Sequence, residues 1–193
     1  MDQFDILKLV TRTLESMSVR YMVGGSYASG AWGETRFTQD IDVVLDLRLE
    51  DVERFVGAFS EEEFYVSVEA AKSAVRQRGQ FNLIHGASGN KVDFILVKDT
   101  AWARSQLDRR RRIALPSGLM VYVCAPEDII ISKMAYYRQG GIDKHLRDIT
   151  GIMKVSGDQV DTAYVERWAK ELDLMEIWEA ILRRLSSRSH ESV

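Results

Sequence analysis

The chain has 193 residues, 46% hydrophobic and 28% charged, with 13 glycines, two prolines and one cysteine. That composition excludes collagen-like and low-complexity chains, and the length suits one globular domain, or one domain with a helical appendage. The net charge of −3 excludes a surface that is basic throughout, but its sign is uneven: residues 1–100 hold 11 basic and 16 acidic side chains, residues 101–193 hold 15 and 13.

No apolar run approaches the roughly 20 residues of a membrane span. The start Met1-Asp2-Gln3-Phe4-Asp5 lacks the basic region of a signal peptide. The single Cys124 rules out an internal disulfide framework and a cysteine-rich zinc site. A cytoplasmic setting without a membrane partner is expected.

In chain order, Phe4, Leu7, Val10, Leu14 and Met17 recur near helical spacing over 2–17. Tyr21-Met22-Val23 reads as a short buried strand that ends in the turn Gly24-Gly25-Ser26, from which a helix runs through Ala28 and Ala31. Asp40 to Leu47 reads as a second strand, with Ile41, Val43 and Leu45 alternating with Asp40, Asp42, Val44 and Asp46. Helices are expected over 50–59 and 67–77. The runs Phe81–His85 and Lys91–Val97 flank a Gly/Ser/Asn loop and read as a hairpin, as do Arg110–Leu115 and Leu119–Val123. From Pro126 the pattern is helical over 127–139, 143–155, 161–173 and 175–188, with a frayed tail from Ser186. The expected class is α+β: a mixed sheet flanked by helices, a core over 1–125 and a helical region over 126–193 packed on it.

Asp40 and Asp42, two apart on a strand, share a face. Carboxylates brought that close repel unless a cation lies between them, and magnesium takes one or two carboxylates plus substrate phosphate. Asp93, in the apolar strand Lys91-Val92-Asp93-Phe94-Ile95, is a third candidate, since an unpaired acid there is expensive. The bland alternative is a solvated face, which Asp46 would extend. Gly24-Gly25-Ser26 lets the backbone approach a phosphate at a helix N-terminus, or is a plain tight turn with a serine cap.

The basic run Arg109–Arg112, with Arg104 nearby, is either a stripe that tracks an RNA backbone or a set of ion pairs. On a strand, at most half of these arginines face one way. Trp32, Trp102, Trp168 and Trp178 read as core or interface residues, and Trp102, beside Arg104, is the one to test for base stacking. His85, His145 and His190 lack the companions of a zinc site, and Cys124 reads as a small buried hydrophobe.

The combination Val23-Gly24-Gly25-Ser26, thirteen residues, Asp40-Ile41-Asp42, then a separate strand with Asp93, resembles the nucleotidyltransferase superfamily related to DNA polymerase β. Arg36-x-Thr38-x-Asp40-Ile41-Asp42, Glu127-Asp128 through Lys133 to Arg138, and Arg147-Asp148-Ile149 resemble its AbiEii-type toxin branch. The resemblance implies transfer of a nucleoside monophosphate from a nucleoside triphosphate to an acceptor hydroxyl. It implies two magnesium ions, or manganese, on Asp40, Asp42 and Asp93, with Asp93 also activating the hydroxyl. Gly24, Gly25 and Ser26 would bind the nucleotide, as would Arg36, whose position four before Asp40 suits equally a phosphate contact or brace for the acids and a plain loop ion pair. Lys133 would reach its phosphates, and Asp148 would be the acid of the last motif. Arg138 is open between a phosphate contact and a solvated charge. The acceptor would be tRNA or another RNA, or a protein, with a cognate antitoxin as a further partner; a small molecule such as an antibiotic is the alternative acceptor. A catalytically inactive nucleotide- or partner-binding module is the rival outside the enzymes.

Overall fold

A computed structural model of the chain describes residues 1–34, 40–115 and 118–190, without the side chains of 187–190. The chain divides into two compact units, one of Met1–Tyr27 with Phe37–Cys124, the other of Ala28–Arg36 with Ala125–Val193.

The first unit opens with α1 (Gln3–Ser16), begun by a reciprocal cap: Asp5 N donates to Asp2 Oδ1 at 2.8 Å and Asp2 N to Asp5 Oδ2 at 3.3 Å. The buried β1 (Tyr21–Val23) follows, then α2 (Gly25–Trp32), which continues past Tyr27. Next come β2 (Asp40–Leu45), a 3₁₀ turn (Leu49–Asp51) and α3 (Val52–Val56). The helix expected over 50–59 is short because Gly57 closes it, its N–H donating to Glu53 O at 2.9 Å. Then follow β3 (Phe64–Tyr65), α4 (Val68–Gln77), β4 (Gln80–His85) and β5 (Lys91–Leu96). The unit ends with α5 (Ala101–Arg109), β6 (Arg111–Ala114) and β7 (Met120–Val123).

Among the described residues the strands form a seven-stranded mixed sheet in the order β3-β4-β5-β2-β1-β7-β6. β2 runs antiparallel to β1 and parallel to β5; β1 and β7 are parallel. The α+β mixed sheet expected from the sequence is therefore present, as are both hairpins. One sheet face is apolar: Ile41, Val43, Leu45, Val92, Phe94 and Leu96 are buried there. Phe55 of α3 packs edge-on against Phe59, Phe81 and Phe94, with ring centroids 5.1–6.2 Å apart.

Periodicity missed β3, which has two residues, and α5, which has little apolar pattern and is started by Thr100, whose hydroxyl accepts from Ala103 N at 3.2 Å. The strand expected from Arg110 begins at Arg111. The arginine run is split: Arg109 ends a helix, Arg110 is the extended joint, and Arg111 and Arg112 open β6.

The second unit holds α6 (Pro126–Gly140), α7 (Lys144–Ser156), α8 (Thr162–Glu171) and α9 (Met175–His190), with Ile130, Ile131, Ile152, Val165 and Trp178 in its core. Pro126 at the first turn and Gly141 at φ +62° bound α6. α9 runs through His190, and the end of the tail expected to fray, 191–193, lies outside the described residues. Segment 32–33 is stitched to α7: Ser156 Oγ donates to Trp32 O at 2.6 Å, and a β-carbon on Gly33 would lie 2.8 Å from Ile152 N. No helix among the described residues is long and apolar enough to cross a membrane.

Candidate active site

The turn after β1 is built around a glycine that no other residue can replace without strain. Gly24 N donates to Asp42 O at 2.8 Å, continuing the β1–β2 ladder into the turn. Gly25 then takes φ +54°, and a β-carbon on it would lie 1.7 Å from Asp42 Oδ2. Backbone conformation and space both demand glycine. The Asp42 carboxylate thus lies against bare backbone where α2 begins, and Ser26 is the next residue of that helix.

Asp40 and Asp42 project from the β2 face opposite Ile41, Val43 and Leu45. The parallel register pairs Asp42 with Asp93 and Asp40 with Lys91, and residues paired in register share a face. Neighbouring strands lie ~4.8 Å apart, so the tertiary fold sets Asp42 beside Asp93.

Sequence reasoning missed two residues that belong to this group. Lys91 Nζ lies 2.9 Å from Asp93 Oδ2 and 3.6 Å from Asp40 Oδ1. Its hydrogen bond to Asp93, against some desolvation, holds the ammonium above the usual lysine range. Asn82 pairs with Asp93 across β4 and β5, and its amide nitrogen donates to Asp93 Oδ1 at 3.0 Å when turned toward it. The signal for Lys91 was its position two before Asp93 on one strand. Asn82 carried none, because its register is non-local.

Among the described residues no three or more His, Cys, Asp or Glu side chains are arranged to hold a metal ion. The donor chemistry of Asp42 with Asp93 nevertheless suits a hard divalent cation, which needs only one or two carboxylates when water and phosphate complete its shell. The notch over Gly25 keeps one of those carboxylates clear of side-chain bulk. Asp40, at the exposed start of β2, is the outlying member. Asp46, which the alternation places on the same face, pairs with Arg78 at 3.2 Å. Arg36 and Thr38 lie outside the described residues.

In the helical unit, Lys133 of α6 and Asp148 of α7 meet as a buried ion pair, Nζ to Oδ2 2.5 Å, with side chains 6% and 7% exposed. Glu127 and Asp128, wholly buried in the first turn of α6, accept from Asp161 N at 3.0 Å and from the Tyr164 hydroxyl at 2.8 Å. Arg138 donates to Leu172 O at 2.6 Å and Asp173 O at 3.0 Å, at the end of α8. The hairpin histidine, His85, is bound through Nδ1 to Ser88 Oγ at 2.8 Å.

No family model and no curated protein sequence matches the chain. Solved structures do. The solution structure of the antibiotic-resistance factor ANT(2'')-Ia is 16% identical with a TM-score of 0.53, covering 99% of this chain and 100% of its own. A crystal structure of ANT(2'')-Ia with adenylyl-2''-tobramycin is 15% identical with a TM-score of 0.55, covering 86% and 99%. An antigenic nucleotidyltransferase-like protein from Paracoccidioides brasiliensis is 17% identical with a TM-score of 0.55, covering 89% of each chain. With the Gly-Gly-Ser turn, the Asp42–Asp93 register and this likeness together, the chain has the nucleotidyltransferase fold.

Proposed function

We propose that the chain transfers a nucleoside monophosphate from a nucleoside triphosphate to an acceptor hydroxyl, with magnesium or manganese as cofactor. The observation that carries this reading is the Asp42 carboxylate held against Gly25 and beside Asp93, at the strand-to-helix turn. Backbone N–H groups at Gly25 and Ser26 would receive the triphosphate at the start of α2. Asp42 and Asp93 would hold divalent cations, with Asp40 at the rim. Such cations, when bound, would neutralise charge on the triphosphate and at the attacking oxygen. Asp93, oriented by Asn82, would accept the hydroxyl proton as that oxygen bonds to the α-phosphorus and the bond to pyrophosphate breaks.

The AbiEii-like motifs favour an RNA or protein acceptor, as in a toxin with a cognate antitoxin. The likeness to ANT(2'')-Ia over nearly the whole chain favours a second reading, a small-molecule antibiotic as acceptor. The test is calorimetric titration of each of the four ribonucleoside triphosphates with magnesium into the wild type and Asp42→Ala. Magnesium-dependent binding lost in a variant that melts normally is expected. Equal binding by both proteins would remove Asp42 from the site. On expression, growth arrest abolished by Asp42→Ala points to the toxin, and drug resistance to the small-molecule acceptor. Binding without pyrophosphate release over a broad acceptor panel would leave an inactive module.

A further inference from the structure

A cavity of about 260 Å³ lies at the opposite end of β1 from the Gly24-Gly25 turn, within the first unit. One wall is the α1–β1 joint, with Glu15, Arg20 and Tyr21; the other is the β6–β7 hairpin, with Arg110, Arg112 and Tyr122. Arg110 is the extended joint before edge strand β6 and Arg112 its second residue, facing Tyr122 in register. Both guanidinium carbons lie over the Tyr122 ring, 4.7 and 5.8 Å from its centroid. Arg110 Nη1 is further fixed by donating to Leu107 O at 2.6 Å. Tyr122 is braced in turn by an edge-to-face contact with the buried Tyr21, centroids 5.8 Å apart.

The charge here is unbalanced. Three arginines face one carboxylate, Glu15, whose Oε1 accepts from the Tyr21 hydroxyl at 2.9 Å. Arg20 is paired with Asp108. Among the described residues neither Arg110 nor Arg112 has a carboxylate partner, and Arg110 Nε is buried without an acceptor. Charged side chains on an edge strand also discourage sheet-to-sheet pairing, but that purpose requires neither stacking on an aromatic ring nor a cavity. A guanidinium laid on a ring still presents the in-plane N–H donors that the protein does not use; Arg110 commits Nη1 to Leu107 O, and Arg112 supplies the fork that matches a phosphate. The cavity exceeds the ~150 Å³ that holds a benzene, so it admits a phosphate with the atoms attached to it.

We propose that this cavity is a phosphate-binding site, with Arg110 and Arg112 as its donors, pre-set on Tyr122. It is independent of nucleotidyl transfer at the carboxylates. The phosphate belongs either to a single-stranded RNA backbone or to a free phosphate ester.

The test is fluorescence anisotropy of a short labelled oligouridylate, without magnesium, against the wild type, Arg112→Gln, Arg110→Gln/Arg112→Gln and Asp42→Ala. Inorganic phosphate and uridine monophosphate are titrated in parallel by calorimetry. Arg112 is exposed, so the single variant should fold, and melting curves check each protein. At least a tenfold loss in the double variant is expected, with full binding by Asp42→Ala. The salt dependence should also become shallower, by roughly 0.7 in log–log slope for each phosphate that is no longer neutralised. Tight oligouridylate binding that millimolar phosphate does not displace assigns the site to nucleic acid. Binding of phosphate or the monophosphate alone, lost in the same variants, assigns it to a small ester. Absence of binding by every probe, binding that both arginine variants retain, or loss in Asp42→Ala alone would overturn the proposal.

Discussion

Gly25 and Asp42 constrain each other. At φ +54°, any L-residue in place of Gly25 pays ~1–2 kcal/mol for the left-handed backbone. Its β-carbon would also overlap the Asp42 carboxylate, which must then leave the turn. Gly25→Ala should therefore lower the melting temperature by a few degrees, at roughly 2–4 °C per kcal/mol for a chain of this size. It should also lose magnesium-dependent triphosphate binding as fully as Asp42→Ala does. Calorimetry on the two variants side by side checks this; unchanged affinity in Gly25→Ala would mean that the carboxylate works from another position. Lys91 belongs at this scale too, since its ammonium lies between Asp40 and Asp93 and screens their repulsion.

At the scale of elements, α6 and α7 are joined by the Lys133–Asp148 pair, and the two roles open to it make different predictions. Removing one member of a buried ion pair costs up to ~3–5 kcal/mol, whereas replacing both members with apolar residues of similar volume is often neutral. Lys133→Met should shift the denaturation midpoint strongly, and Lys133→Met/Asp148→Leu should recover most of the loss. If the pair only holds helices together, the double variant also recovers triphosphate binding. If Lys133 reaches the nucleotide, as the resemblance implies, the double variant folds but does not bind. Guanidinium melts with calorimetry on the same samples separate the two.

For the whole molecule, Cys124 is a built-in reporter. It is the sole cysteine, 3% exposed, and the last residue of the sheet unit before the chain enters the helical one. A thiol reagent should find no reactive group in the native protein and one in denaturant, and its slow native rate should follow the opening of β7 from the sheet. Stoichiometric labelling within seconds under native conditions would show that this end of the sheet opens locally.

Much of this protein was legible in local pattern. The alternation Ile41-Asp42-Val43, the glycine turn after Val23 and the hairpin around Gly86–Asn90 follow from side-chain periodicity and turn chemistry, both of which act over a few residues. The same locality explains why the turn at Gly25 and Ser26, and the alternation that sets Asp40 and Asp42 on one face, could be read from the sequence. It also explains why the two-residue β3 and the weakly patterned α5 could not be seen.

Strand order and register, by contrast, are set by backbone pairing between distant segments. They alone put Asp93 beside Asp42, Lys91 between two acids and Asn82 opposite Asp93. They also brought Arg110 and Arg112 over Tyr122, and helix packing joined Lys133 to Asp148. The kinds of chemistry the chain carries are written in its order of residues. Which charges meet was settled only by folding, because a neighbour across a sheet or between helices leaves no periodic trace along the chain.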